Sequence, residues 1–322
     1  MYDYMMLMQK LSYKSGGEEA RPDRTNTGTA SIFDHTLEFD LGQYFPLLPF
    51  RQMGWKNVVT ELVWFLRGET KIEFLEKHGC NWWSNQCSTD GDVGPMYGAQ
   101  WRGYKGIDGV QRPDQFRAFI DGLRKDPFGR RHVVDSWEAS AIPENNCDYD
   151  ANVKVGKMAI APCHSMYQAY VDVRNGQKYV DLKFYMRSSD TFLGLPANIA
   201  SYAMLLEIIS ALTGYKVGRL IYNGGDVHLY SNHDRACTQL LKQWQEMVHG
   251  ELKHLNVKQN IHHSSWIHQS EKLCPSFKMP AEFLDLVNAD DLDFTADNLI
   301  DVLCSGLHGY KPGGVINARM AR

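Results

Sequence analysis

From Trp55 to Glu69 the apolar residues Trp55, Val58, Val59, Leu62, Val63 and Leu66 recur at three- and four-residue intervals, which predicts an amphipathic helix carrying Glu61. A second helix is predicted after Asp114, a natural N-cap. Phe116, Phe119, Ile120 and Leu123 share one of its faces, Arg124 and Lys125 suit the negative end of its dipole, and Asp126-Pro-Phe-Gly129 ends it. A third runs from about Asn198 through Ala203, Leu205, Ile208, Ile209 and Leu212 to Gly214 in the C′ position, and its apolar character predicts a central, buried helix. The clearest strand pattern lies between these helices. Val171 to Gln177 and Val180 to Arg187 flank an Asn175-Gly176 turn of hairpin type. Counting back from that turn sets Ser188 opposite Cys163 and Arg187 beside it, unless a bulge shifts the register.

No repeat, linker or low-complexity tract divides the 322 residues, so one domain over 1–322 is expected. The Asn-rich stretch within 139–157 reads as an insertion. The segment from Glu251 to Asp301 reads as peripheral helices and loops, inside a divergent region 251–322. A 22% charged composition with net charge -4 offers no basic field, so no stable nucleic-acid complex is expected. Seven cysteines form no CxxC pair, which argues against a zinc site or disulfide scaffold and fits a reducing cytoplasm. The start MYDYMMLMQKL lacks a basic region and a cleavage site, so a signal peptide is not expected. No apolar run reaches the roughly 20 residues of a membrane span.

Cys163 stands at the element boundary Ala161-Pro-Cys-His164, either as a small buried hydrophobe or as a nucleophile. A neighbouring Arg187 favours the nucleophile, because a guanidinium raises the thiolate fraction. His164 could assist, although alternate strand residues face opposite ways. Arg24, Arg130, Arg131 and Arg187 lie in turn or strand-end contexts, where forked donors bind a phosphate or pair with carboxylates. Glu61 is either a buried acid or base or the flank of an exposed stripe. His228 and Tyr230 share a strand face and either bind a sugar hydroxyl or pack the core. Trp82 and Trp83 either stack on a flat ring or belong to the core.

Taken in order, Arg24-Thr-Asn-Thr-Gly-Thr29, Glu61-Leu-Val-Trp-Phe-Leu-Arg-Gly-Glu-Thr70, Gly94-Pro-Met-Tyr-Gly-Ala-Gln-Trp101, Arg130-Arg131, Ala161-Pro-Cys-His164, Arg187-Ser-Ser-Asp190, Gly194-Leu-Pro-Ala-Asn-Ile-Ala-Ser-Tyr202 and Gly224-Gly-Asp-Val-His-Leu-Tyr-Ser-Asn-His233 closely resemble the thymidylate synthase family. The resemblance implies an α/β (α+β) single domain with a large mixed, mainly antiparallel sheet packed by a central buried helix. It implies that Cys163 attacks C6 of dUMP, and that C5 then captures the methylene of 5,10-methylenetetrahydrofolate, a co-substrate, with no metal. Arg24, Arg187 and Ser188 would hold the phosphate, with Arg130 and Arg131 reaching over from the partner subunit of a homodimer. His228 and Tyr230 would bind the ribose, and the Asn198 amide would select uracil over cytosine. Glu61, Tyr97 and His164 would move protons and order water. Asp190, Leu193, Gly194 and Trp83 would line the folate site.

Several positions depart from the family's pattern. Met186 precedes Arg187-Ser188 where Gln is usual, and Ala197 precedes Asn198 where Phe is usual. Leu48-Pro-Phe50 stands where a Thr-Thr-Lys stretch is usual, and Gln86 where a tryptophan is. The ending from Tyr310 to Arg322 lacks the family's His-Pro, its lysine and its apolar last residue. These changes surround the part of the site that decides whether hydride or water completes the reaction. They point to a dUMP hydroxymethylase, as in viral members of the family, with thymidylate synthase as the alternative. A silent nucleotide- or RNA-binding relative would be expected to lack the nucleophile or the phosphate arginines, and here all are present.

Overall fold

The computed structural model describes residues 1–17, 20–23, 25–254 and 263–320. A five-stranded sheet, formed by β1 (Thr29–Asp40), β2 (Val133–Asp135), β3 (His164–Arg174), β4 (Gln177–Asp190) and β5 (Lys216–Tyr230), runs in the order β1-β5-β4-β3-β2. Among the described residues only the β4/β5 pairing is parallel; the other pairings in this sheet are antiparallel, in line with the mixed, mainly antiparallel expectation. Parallel neighbours need a crossover, and the helix Gly194–Thr213 between β4 and β5 supplies it.

Numbering the helices along the chain gives α1 (Tyr2–Gly17), α2 (Trp55–Arg67), α3 (Glu73–Lys77), α4 (Tyr97–Arg102), α5 (Gln115–Lys125), α6 (Tyr149–Lys154), the crossover α7 and then α8 (Asp234–His254), α9 (His263–Lys272), α10 (Phe283–Val287) and α11 (Leu299–Ser305). A two-stranded ribbon joins β6 (Ser276–Phe277) to β7 (Leu307–His308). The predicted helices are α2, α5 and α7. Asp114 caps α5 by accepting from the Arg117 N–H at 2.8 Å. Gly214 ends α7 at φ 72°, a left-handed conformation that costs glycine little. The start of α7 at Gly194 rather than near Asn198 brings Leu193, Gly194 and Asn198 together at one helix end.

Burial makes α7 apolar all round, with Ile199, Ala200, Ala203, Met204, Leu205, Leu206, Ile208 and Ile209 fully enclosed. By length and mean hydropathy it would pass for a membrane span, but Asn198, Ser201 and Glu207 interrupt its apolar residues and most of it is enclosed by protein. The opposite face of the sheet is uncovered: Met166, Gln168 and Tyr170 of β3 are exposed, while the alternating Tyr167, Ala169 and Val171 are buried.

One further region extends the sequence reading and another corrects it. The apolar start is helix α1, whose Tyr4, Met8 and Leu11 are buried, with the Tyr4 hydroxyl donating to the Thr191 carbonyl at 2.8 Å. The segment read as peripheral feeds the core through Phe283, Val287, Leu292, Phe294, Leu299 and Ile300, and α11 packs on α2. Its apolar residues sit on short helices and loops, too short to carry a period. The stretch 139–157, expected to be an insertion, holds a 3-10 turn and α6, and Asp150 anchors it by accepting from the Thr89 N–H and hydroxyl, both at 2.9 Å.

Candidate active site around Cys163

The β3/β4 hairpin turns at Asn175 (φ 51°) and Gly176 (φ 75°), as predicted, and pairs Arg174 with Gln177. The ladder slips between His164 and Met166, so His164 faces Met186. Arg187, not Ser188, therefore lies opposite Cys163: its backbone N–H donates to the Cys163 carbonyl at 2.9 Å. The guanidinium turns back along the same segment. Its Nε donates to the Pro162 carbonyl and one Nη to the Ala161 carbonyl, each at 2.9 Å, and its face lies 5.5 Å over the Trp137 ring. The segment before the cysteine is thus clamped by the arginine expected to meet the phosphate.

From the other side, α4 delivers Tyr97. Its hydroxyl accepts from the Cys163 N–H at 2.8 Å, and its ring stacks on His164 at 3.9 Å and 3°. Gly94 lets the chain enter α4 there, since a Cβ at its φ of 68° would lie 2.2 Å from the Lys157 carbonyl. His164 is buried, its Nδ1 is 2.9 Å from the Tyr202 hydroxyl of α7, and burial pushes its imidazole down to about 3. It stays neutral at ordinary pH and serves to fix Tyr97 and Tyr202. Burial likewise holds the Tyr97 hydroxyl well above the usual phenol range.

Glu61 on α2 is half-buried. Burial pushes its carboxyl up to about 7, against the pull of the Trp83 indole N–H, which donates to it at 2.7 Å. Trp83 was expected to line the folate site; it is 6% exposed and packs edge-on to Tyr97 at 5.9 Å, so it links Glu61 to the tyrosine that holds Cys163. The alternative of an exposed flank for Glu61 falls away.

The turn from β4 into α7 is organised by Asp190, whose carboxylate accepts from the Phe192 N–H at 3.0 Å and the Leu193 N–H at 3.2 Å. Gly194 opens α7, and Asn198 follows one turn later with its amide making no hydrogen bond among the described residues. Ser188 pairs with Asp226 of β5, and Asp190 with His228. His228 is buried with its Nδ1 3.2 Å from the Asp226 carboxylate, and its ring meets Tyr230 at 4.9 Å. Cys163, Glu61, Tyr97, His164, Arg187, Ser188, Asp190, Asn198, His228 and Tyr230 therefore sit on the ends of β3, β4 and β5, the N-terminal half of α7 and the α2 and α4 helices packed against them.

Arg130 and Arg131 are exposed and make no ion pair among the described residues. Arg24 lies outside the described residues. Its neighbour Asp23 holds that turn by accepting from the Thr25 and Gly28 N–H groups, both at 2.6 Å.

Two residues escaped the sequence reading. Arg51 is 7% exposed, donates to the Phe192 carbonyl at 2.8 Å and lies 5.0 Å over the Phe192 ring, beside the Asp190 turn. Its Nε has no hydrogen-bond partner among the described residues. A cation within the apolar run from Phe45 to Met53 was the available signal. His233, at the end of the Asp226-to-His233 motif, is wholly buried against Phe192 and Tyr230.

The chain's last described segment crosses this region. The Tyr310 hydroxyl donates to the Leu48 and Arg51 carbonyls and accepts from the Met53 N–H, Ile316 is buried, and the Arg319 carbonyl accepts from Asn232 and His233. Gln86 reaches the Met320 sulfur at 3.4 Å. A separate surface cavity of about 570 Å³, lined by Lys71, Glu76, Cys87, Asp90 and Asp150, includes none of these site residues. Among the described residues no cluster of His, Cys, Asp or Glu is arranged to hold a metal ion.

Compared with known families, residues 2–270 match the family described as Thymidylate synthase.

Proposed function

Because the chain belongs to the thymidylate synthase family, whose members transfer one carbon from a reduced folate to dUMP, we propose that it makes 5-hydroxymethyl-dUMP and tetrahydrofolate. Cys163 adds to C6, C5 bonds to the methylene carbon, and loss of the C5 proton with release of tetrahydrofolate leaves an exocyclic methylene. Water adding to that methylene gives the hydroxymethyl group and, on release of Cys163, the free enzyme. The folate supplies the carbon; Asp190, Leu193 and Gly194 are suited to line its site, since the turn they form opens beside Asn198.

The observation that carries the hydroxymethyl reading is Gln86. It takes a position where the resemblance expects a tryptophan and meets the C-terminal segment at the Met320 sulfur; a polar amide in place of an aromatic cover favours the admission of water. A thymidylate product is favoured by a different observation. The segment is docked, with Ile316 buried and the Arg319 carbonyl held, and a closed cover keeps water from the intermediate until hydride arrives.

Arg24, Arg187 and Ser188 are proposed for the phosphate, His228 and Tyr230 for the ribose, and Asn198 for the uracil edge. A homodimer lending Arg130 and Arg131 across the interface accords with their exposure and with the uncovered face bearing Met166 and Tyr170. The test is to incubate the protein with dUMP and methylenetetrahydrofolate and identify both products by mass spectrometry. Hydroxymethyl-dUMP with tetrahydrofolate supports the proposal, whereas thymidylate with dihydrofolate replaces it. Cys163→Ala should abolish either reaction while dUMP still binds, and retained turnover would end the covalent reading.

A further inference from the structure

The ring of His233 is enclosed on every side, yet only one of its nitrogens has a hydrogen-bond partner among the described residues. Nε2 lies 2.8 Å from the Arg319 carbonyl, and the Asn232 amide donates to the same oxygen at 3.1 Å. A carbonyl oxygen only accepts, so the ring proton must sit on Nε2. Nδ1 lies 3.7 Å from the Asp190 carboxylate and has no hydrogen bond among the described residues. The Arg319 contact thus sets how the imidazole sits against Asp190. Asp190 in turn holds the Phe192 and Leu193 N–H groups and so shapes the turn that opens α7. The ring also packs on Phe192 at 5.4 Å and on Tyr230 at 5.8 Å. One side chain therefore touches the C-terminal segment, the turn beside Asn198 and the strand end that bears Tyr230.

We propose that Asn232 and His233 are positioning residues that seat the C-terminal segment by holding the Arg319 carbonyl, and that His233 transmits this seating to the Asp190–Leu193 turn. The inference rests on the one-carbon reading of the site, because it assigns the seated segment a part in turnover. It does not depend on which product forms.

The Arg319 carbonyl belongs to the bond that trypsin would cut, so the clamp can be read without any activity assay. Releasing the carbonyl from one donor removes a hydrogen bond of ordinary strength, which converts to about a fivefold change in the exposed population. In the full-length protein, His233→Phe and Asn232→Ala should each speed release of the peptide beyond Arg319 by about fivefold, with cleavage elsewhere unchanged. His233→Gln, whose amide can offer a donor near the position of Nε2, should restore most of the protection. Asn232 is exposed, so its variant keeps the test open should the buried histidine prove necessary for folding.

The kinetic companion separates positioning from mere attachment. Both clamp variants should lower kcat and raise KM for the folate, while KM for dUMP stays within about twofold. Unchanged cleavage at Arg319 in both variants would overturn the clamp. Faster cleavage with wild-type kcat and folate KM would overturn the transmission to the Asp190 turn. A wild-type protein with no turnover would instead defeat the one-carbon reading, and the cleavage rates would still decide the clamp.

Discussion

Glu61 shows what a single side chain can be asked to do here. Its carboxyl is pushed up to about 7 by burial, so both protonation states are populated near neutrality, as suits a group that takes and returns protons at the base. The kcat profile should therefore change slope near that pH, and Glu61→Gln should flatten it and lower kcat by about a hundredfold. The Trp83 indole N–H favours the ionised form. Trp83→Phe should therefore move the change of slope upward by about one pH unit, and an unmoved profile would show that the indole does not govern Glu61. Asn198 lends itself to a specificity test, since its amide is left open for a ligand. Asn198→Asp should shift the preference from dUMP toward dCMP by about a hundredfold in the ratio of kcat/KM, because a carboxyl matches the cytosine edge and leaves the uracil N3–H and O4 mismatched. Cys163, Glu61 and Asn198 were legible because each sits in an ordered motif. Arg51 lies in no such motif, and although His233 closes one, the meaning of both lies in distant partners, the Phe192 carbonyl and the Arg319 carbonyl, that no local pattern reveals.

At the scale of elements, periodicity exposed α2 and α5 because each is apolar on one side, and the Asn175-Gly176 pair exposed the hairpin because its two positive φ values admit few residues. The one-residue error opposite Cys163 came from the bulge near His164, which the turn chemistry does not encode. Strand β1 went unseen because polar residues such as Asp34, His35 and Glu38 interrupt its apolar ones, and α1 because a short apolar stretch suits several structures. The central helix α7 was recognised by its apolarity, yet it carries Glu207, whose carboxyl burial pushes up to about 7. An ordinary glutamate carboxyl lies at 4.5. A carboxyl whose folded value is raised supports the fold fully below its unfolded value, and that support is lost as pH rises through the folded value. Glu207→Gln should therefore change little at about pH 5 and raise Tm by a few degrees at about pH 8. Thermal melts at the two pH values check this, and an equal change at both would mean that the effect is packing rather than charge.

For the whole molecule, the open question is whether a site is complete within one chain. Arg130 and Arg131 follow α5 in an exposed turn and find no carboxylate among the described residues, while the face of the sheet away from α7 leaves Met166 and Tyr170 in solvent. A large sheet with one bare, partly apolar face is a natural place for a second copy, and the proposed homodimer is one in which each copy's arginine pair serves the other's phosphate site. Subunit mixing decides the matter more sharply than size does. Cys163→Ala and Arg130→Ala homodimers should each be nearly inactive. If they exchange chains at random, half the dimers are hybrids, and each hybrid has one site with both its cysteine and its borrowed arginine intact. Activity should then recover to about a quarter of the wild-type level. Tyr170→Glu in both chains, which puts a charge on the shared face, should prevent that recovery by blocking exchange into dimers. If the mixture stays inactive while mass measurement shows hybrids forming, Arg130 serves its own chain's site and the phosphate pocket is complete without a partner.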